Sequence, residues 1–390
     1  MAYLRNDAIN RVNLHSGIHA LALGAGGIFF LVFLISAGIS VPVALLTMAG
    51  ILAGRLVLRP AVLPLAKRWG VKPLVIVGTL GMALQYPLLA GVQDVGFRLV
   101  VLGLTVAVAE IFYWPAYHAY FAALGDAEHR GHQVSAREAA IAVASIVGPL
   151  IGTWALVTLG PGPMFAGVGL VQALAAVPLI GAPNVAVKQS ASGGFRAARI
   201  GALLYGFDAW FAAWFLLVWP AALFLVLDES LAAYGGAMAL AALVGAAAGL
   251  LLGRAIDAGK GRRAVVIACS FAAIAVLARA ASLGSPPMAV IANALGAAVL
   301  PLLLPALGTA IYNLTKVSPC PLRFQIVAEA GWDIGAICGL VCAAGLYESG
   351  VPFSYAIPLA VPGIAVTAFV LWRYYPGAPG ATPDEAVTAA

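Results

Sequence analysis

Twelve long apolar stretches follow one another along the chain with only brief polar interruptions, and this constrains the fold more than any other feature. A helix crossing the hydrocarbon of a bilayer takes about 20 residues. The stretches predict helices near 14–36, 42–66, 73–91, 97–122, 134–158, 163–183, 200–226, 232–253, 264–283, 287–312, 322–346 and 353–374. They are rich in Ala, Leu and Gly and lack the alternating pattern of a barrel wall. The expected fold class is an all-α membrane protein. Sixty-three per cent of the residues are hydrophobic, 9% are charged and the mean hydropathy is +1.01. A soluble domain carries about 25% charged residues. That difference excludes a soluble enzyme, a disordered chain and a nucleic-acid-binding domain. The polar start MAYLRNDAINRVNLHSG, with no small-residue cleavage site after the first apolar run, marks that run as a spanning helix rather than a signal peptide.

The formal charge of +6 matters less than where the cations fall. With the N-terminus inside, seventeen Lys and Arg residues lie on the cytoplasmic side, among them Arg5, Lys67, Arg68, Arg130, Arg262 and Arg323. Only Arg98 and Arg279 fall outside, while Arg55 and Arg59 remain within the second helix. This asymmetry predicts cytoplasmic termini and an even number of spans. The four cysteines, Cys269, Cys320, Cys338 and Cys342, have neither disulfide-framework nor zinc-finger spacing. Ala/Gly-rich composition and compact loops point to a bacterial cytoplasmic (inner) membrane.

The longest polar stretch between helices is 184–199, NVAVKQSASGGFRAAR. It reads as a cytoplasmic linker between two six-helix halves, 1–183 and 200–374, with a disordered Pro/Gly/Ala-rich tail over 375–390. The halves share landmarks at one offset. LPLAKRWGVK (63–72) and GRAIDAGKGRR (253–263) start 190 residues apart, as do Pro115 and Pro305. REAAIAVASIVG (137–148) and AEAGWDIGAICG (328–339) are 191 apart and align Glu138 with Glu329 and Gly148 with Gly339. A parallel duplication of six helices is a transporter signature.

With these features the chain resembles the major facilitator superfamily, whose basic loop between helices two and three is repeated between eight and nine. That motif runs roughly G-x-x-x-D-R-x-G-R-R. Gly253, Asp257, Gly261, Arg262 and Arg263 match it with one extra residue. The first copy keeps Arg68, Gly70 and Lys72 but has Leu63 for the Gly and Lys67 for the Asp. Gly148-Pro149-Leu150-Ile151-Gly152 resembles a motif of proton-driven antiporters; Gly and Pro there would bend the helix and allow tight packing between the halves. The resemblance implies two pseudo-symmetric six-helix bundles, with helices one, four, seven and ten lining a central cavity.

An ionisable group inside a bilayer is costly and is a functional candidate by default. Glu110, in VAVAEIFYWPAYHAYF, is a candidate proton carrier, with Arg55 at similar depth as its alternative, structural partner. Asp208, Asp333 and His19 are further proton-coupling candidates; His19 and Asp208 would face each other across the cavity mouth. His15 and His19, four apart on one helix face, admit a shared metal ion as another option, but no local ligand adds to them. Arg55 and Arg59 are expected to meet Glu329 and Asp333 as a cytoplasmic gate, with Glu138 and Arg137 facing Arg254 as its symmetric counterpart. His118 would extend a proton path or satisfy a backbone group. Tyr113, Tyr117, Trp210 and Asn293 are the candidate substrate contacts.

No G-x-x-x-x-G-K-[ST], HExxH or G-x-S-x-G occurs. The sequence therefore reads as a secondary active transporter, not an enzyme, without cofactor and monomeric, exporting a small molecule in exchange for protons. Uptake by proton symport and a non-transporting sensor are the alternatives.

Overall fold

The computed structural model describes residues 6–125, 130–196, 198–256 and 261–375, with side chains for all of these except 130–135 and 252–256. Among the described residues there are twelve helices long and apolar enough to span a bilayer, and no strand. They are α1 (Asp7–Ser36), α2 (Val41–Trp69), α3 (Val71–Ala90), α4 (Phe97–Leu124), α5 (Ala136–Leu159), α6 (Pro161–Ile180), α7 (Arg199–Val226), α8 (Leu231–Leu251), α9 (Gly261–Ser282), α10 (Pro286–Val317), α11 (Pro321–Glu348) and α12 (Phe353–Tyr374). The first helix starts seven residues earlier than its apolar run implies. Asn6 caps it by accepting the Ile9 N–H, Asp7 pairs with Arg11 one turn on, and Ile9 and Val12 are fully buried. Of the tail expected over 375–390, residues 376–390 lie outside the described residues.

The packing repeats. α1 lies on α5 and α6, α3 on α4 and α6, and α2 on α4. Six helices later α7 lies on α11 and α12, α9 on α10 and α12, and α8 on α10. Between the two sets run α2 against α11, α5 against α8, and α4 against α11. Small residues set the closest approaches. A Cβ on Gly148 would lie 2.8–2.9 Å from the backbone of Gly24 and Ala25, and Gly152 presses on Ala25 in the same way. Gly331 and Gly335 of α11 meet the Ala202 and Gly206 carbonyls of α7. The Gly-Pro motif therefore seats α5 on α1, not on the other set of helices. That contact is made one turn further on, where Thr153 fills the space over Gly235 of α8.

We call the face where α1 begins proximal and the opposite face distal. At the proximal face Gly70 alone joins α2 to α3, at φ 83° and ψ −176°, a region open essentially to glycine. Asn184 closes this corner: its Oδ1 accepts the Lys72 N–H at 3.1 Å and its Nδ2 donates to the Trp69 carbonyl at 2.8 Å. Lys72 Nζ donates to the Ile180 and Ala182 carbonyls, so the basic motif here ties α3 to the end of α6. The segment after Asn184 then crosses the proximal face. Gln189 donates to the Lys67 carbonyl, Lys188 to the Pro319 carbonyl, and Arg323 of α11 to the Gln189 and Ala191 carbonyls. In the second copy Arg262 donates to the Trp372 and Tyr375 carbonyls; Asp257 lies outside the described residues, as do the side chains around Gly253.

Gly335→Val should push α11 off α7 and cost about 3 kcal/mol by overpacking. Gly345→Ala, which meets open space, should be neutral. Thermal unfolding of both variants in one detergent checks the contrast.

Candidate functional site

A proline shapes α2 where its charges sit. The α-helix runs Val41–Leu58, gives way to a tighter turn at Arg59–Ala61 and resumes at Val62. Pro60 has no N–H to continue the ladder. Arg55 and Arg59, one turn apart, are both buried. Arg55 donates through Nη1 to Glu110 Oε2 of α4 at 2.6 Å. Its Nη2 lies 3.4 Å from Glu329 Oε2 and 2.9 Å from Asp333 Oδ1, both on α11. Arg59 pairs with the other Asp333 oxygen. His118, two turns beyond Glu110 on α4, holds Nε2 3.8 Å from Glu329 Oε1 and stacks on Trp114.

The structure thus joins residues that the sequence assigned to separate roles. Glu110, read as a proton carrier, Asp333, read as both carrier and gate, and Arg55, Arg59 and Glu329, read as a gate, form one network across α2, α4 and α11. Asp333 is 0% exposed, and the Glu110 side chain keeps 23% of its surface.

A second polar group lies between α1, α4 and α6. His15 Nδ1 is 2.8 Å from the Ala175 carbonyl, which can only accept, so Nδ1 carries the proton and Nε2 accepts from the Tyr113 hydroxyl at 2.9 Å. Ser16 donates to the Val12 carbonyl and shares a 2.7 Å hydrogen bond with the Tyr117 hydroxyl. His19 Nδ1 bonds Gln172 Oε1 at 3.0 Å, and its Nε2 is buried without a partner. Both ring nitrogens of His15 are taken, which turns the histidine pair away from sharing a metal ion. Among the described residues no three His, Cys, Asp or Glu residues gather as a metal site.

The other candidates stand elsewhere. His19 does not look across at Asp208: it packs against Tyr113 and Trp114 of α4, inside its own six helices. Asp208 is half-buried on α7, with no hydrogen bond or ion pair to another described residue. Trp210 spends its indole N–H on the Leu359 carbonyl at 2.6 Å, and Asn293 accepts from Trp219 Nε1 and donates to the Ala237 carbonyl. These are joints between helices, as are the hydroxyls of Tyr113 and Tyr117. Glu138 is exposed and pairs with its own neighbour Arg137, whose guanidinium lies over the Phe121 ring; the side chain of its expected partner Arg254 lies outside the described residues. Arg279 is no external cation but a buried side chain inside α9.

At the distal face a neutral contact was missed. Tyr234 of α8 donates to the Ile28 carbonyl at 3.1 Å, where α1 loosens into a turn over Gly27–Phe29, and its ring packs edge-on against Phe29 and Phe224. A lone tyrosine in LAAYGGAMALA was the available signal.

The sequence profile of the Major Facilitator Superfamily matches residues 15–318, and the chain belongs to that family. No curated protein matches it in sequence. Two solved structures share its fold at a TM-score of 0.68 and 15% identity. One is the human organic anion transporter MFSD10 (TETRAN), with 94% of this chain and 99% of that one covered. The other is a D-xylose-proton symporter, with 96% and 98% covered.

Removing one partner of a buried ion pair leaves an uncompensated charge and costs about 3–5 kcal/mol. Asp333→Leu should therefore be strongly destabilising, while Arg59→Met combined with Asp333→Leu should recover part of the loss. Unfolding midpoints of the single and double variants test this.

Proposed function

We propose that the chain is a proton-coupled secondary transporter that exports a small molecule across the cytoplasmic membrane by alternating access between its two six-helix halves. What supports this is a charge balance. Three carboxylates (Glu110, Glu329 and Asp333) face two guanidiniums (Arg55 and Arg59) in one buried network. With these five groups ionised and His118 neutral, one negative charge is left over where desolvation is costly. A bound proton cancels it. Glu110, the most accessible of the three, is the group that takes this proton, and His118 beside Glu329 offers a relay.

The same network joins α11 to α2 and α4. Protonating Glu110 removes its attraction for Arg55 within the first half and leaves the two guanidiniums balanced by Glu329 and Asp333 of α11, so the ionic contact between the halves tightens at the proximal face. A ligand or proton shifts such an equilibrium only by binding one state better than the other; here the proton favours the state with the proximal face closed. The Lys and Arg bias makes the proximal face cytoplasmic and puts both termini inside. The antiporter-like Gly-Pro motif favours export. Because the fold is shared with a proton symporter, the sign of the proton movement, not the fold, separates export from uptake.

The test is proton flux in proteoliposomes loaded with a pH dye, challenged with lipophilic cations, siderophores, sugars, amino acids and organic anions. A substrate-dependent pH change lost in Glu110→Gln is expected. Flux without any pH change would overturn proton coupling, and binding without flux would leave a sensor.

A further inference from the structure

Arg279 is a cation inside a membrane helix with no carboxylate in ion-pair range among the described residues, although it is only 4% exposed. Its surroundings explain what it does. The middle of α7, Ala213–Val218, is wound as a π turn, so that the Trp219 N–H reaches the Trp214 carbonyl five residues back. The next N–H in this register would come from residue 220 and would reach the Phe215 carbonyl. Residue 220 is proline. The Phe215 carbonyl is therefore orphaned by its own helix, in surroundings where an unpaired carbonyl is costly. Arg279 Nη1 donates to that carbonyl at 2.7 Å.

The guanidinium also lies over two rings. It lies 3.7 Å from the Phe215 ring centroid and 4.9 Å from that of Trp219. On α10 it rests against Gly296, where a Cβ would come within 2.6–2.8 Å of its atoms. Gly296 also ends the first piece of α10, which resumes at Val299. One side chain thus meets α7 and α10 where both depart from regular helix, and a π turn of this kind often marks a functional position. Beyond it, Trp219–Val226 is the part of α7 that packs against Phe30–Ser36 of α1 and helps close the distal face.

We propose that Arg279 stands in for the N–H that Pro220 lacks, and by fixing the π turn of α7 acts as a positioning residue for closure of the distal end of the transport path. Its meaning for transport rests on the reading above; the test does not. Spin labels go on Ala37→Cys and Asp228→Cys, at the distal ends of α1 and α7, with Cys269, Cys320, Cys338 and Cys342 replaced by Ala. Label distances and unfolding midpoints are then measured for the parent, Arg279→Met, Pro220→Ala and the double variant. Arg279→Met should broaden the distance distribution toward longer values and lower the midpoint by several degrees. Pro220→Ala, which returns an N–H to the orphaned register, should restore the midpoint in the Arg279→Met background. A generic gain from removing a helix proline would appear equally in the parent, so rescue means that Pro220→Ala raises the midpoint of Arg279→Met by more than it raises that of the parent.

Failure of Pro220→Ala to rescue Arg279→Met overturns the proposal, including the case where neither variant folds. So does an Arg279→Met protein with unchanged distances. Rescue in a protein that moves no substrate would leave the clamp standing and sink the transport reading instead.

Discussion

Guanidinium groups buried where water cannot reach them organise this protein. Arg55 and Arg59 gather carboxylates from α4 and α11, and Arg279 takes a carbonyl that α7 cannot satisfy. A charged group in lipid must find its partners within the protein. Each arginine therefore dictates where other helices stand. The planar, always-charged guanidinium suits this because it can bond two partners at once and stack on a ring. Arg55 does both, donating to Glu110 and Glu329 while its guanidinium lies over the Trp332 ring.

Close packing makes these contacts possible. Side chains gain no hydrophobic advantage from one another in a medium as apolar as themselves, so helices associate by fit and by polar bonds. The small-residue faces of α5 and α11 let those helices settle onto α1 and α7 backbone to backbone. The duplicated seats leave α2 and α4 on one side and α11 on the other with facing charges at one depth.

The twelve spans were legible in the sequence because apolar length and Lys/Arg placement report directly on the bilayer. The duplication was legible as landmarks at a common offset, which the matching helix contacts follow. Arg55 and Glu329 could be nominated because a charge in an apolar run is conspicuous. Arg55 was also the alternative partner named for Glu110; that all of these meet in one network with His118 was not legible, since each helix period gives a face but not the partner it meets. His19 and Asp208 show the same limit: equal depth in paired helices did not make them face each other. Arg279 was misplaced because it lies near the end of an apolar run, where a cation is expected to reach water. Only the register change ahead of Pro220 explains why it stays buried.

The segment that crosses the proximal face is composed like a flexible tether, yet its carbonyls at Gln189 and Ala191 are held by Arg323 and its side chains reach Lys67 and Pro319. Its order is borrowed from both sets of helices at once. In the transport cycle proposed above the two sets would part; those bonds could not then all persist, and a Gly- and Ser-containing segment would be released into solvent. A protease that needs a loose segment would then read the position of buried helices from a segment it can touch, so the chain would carry its own external indicator of which face is open.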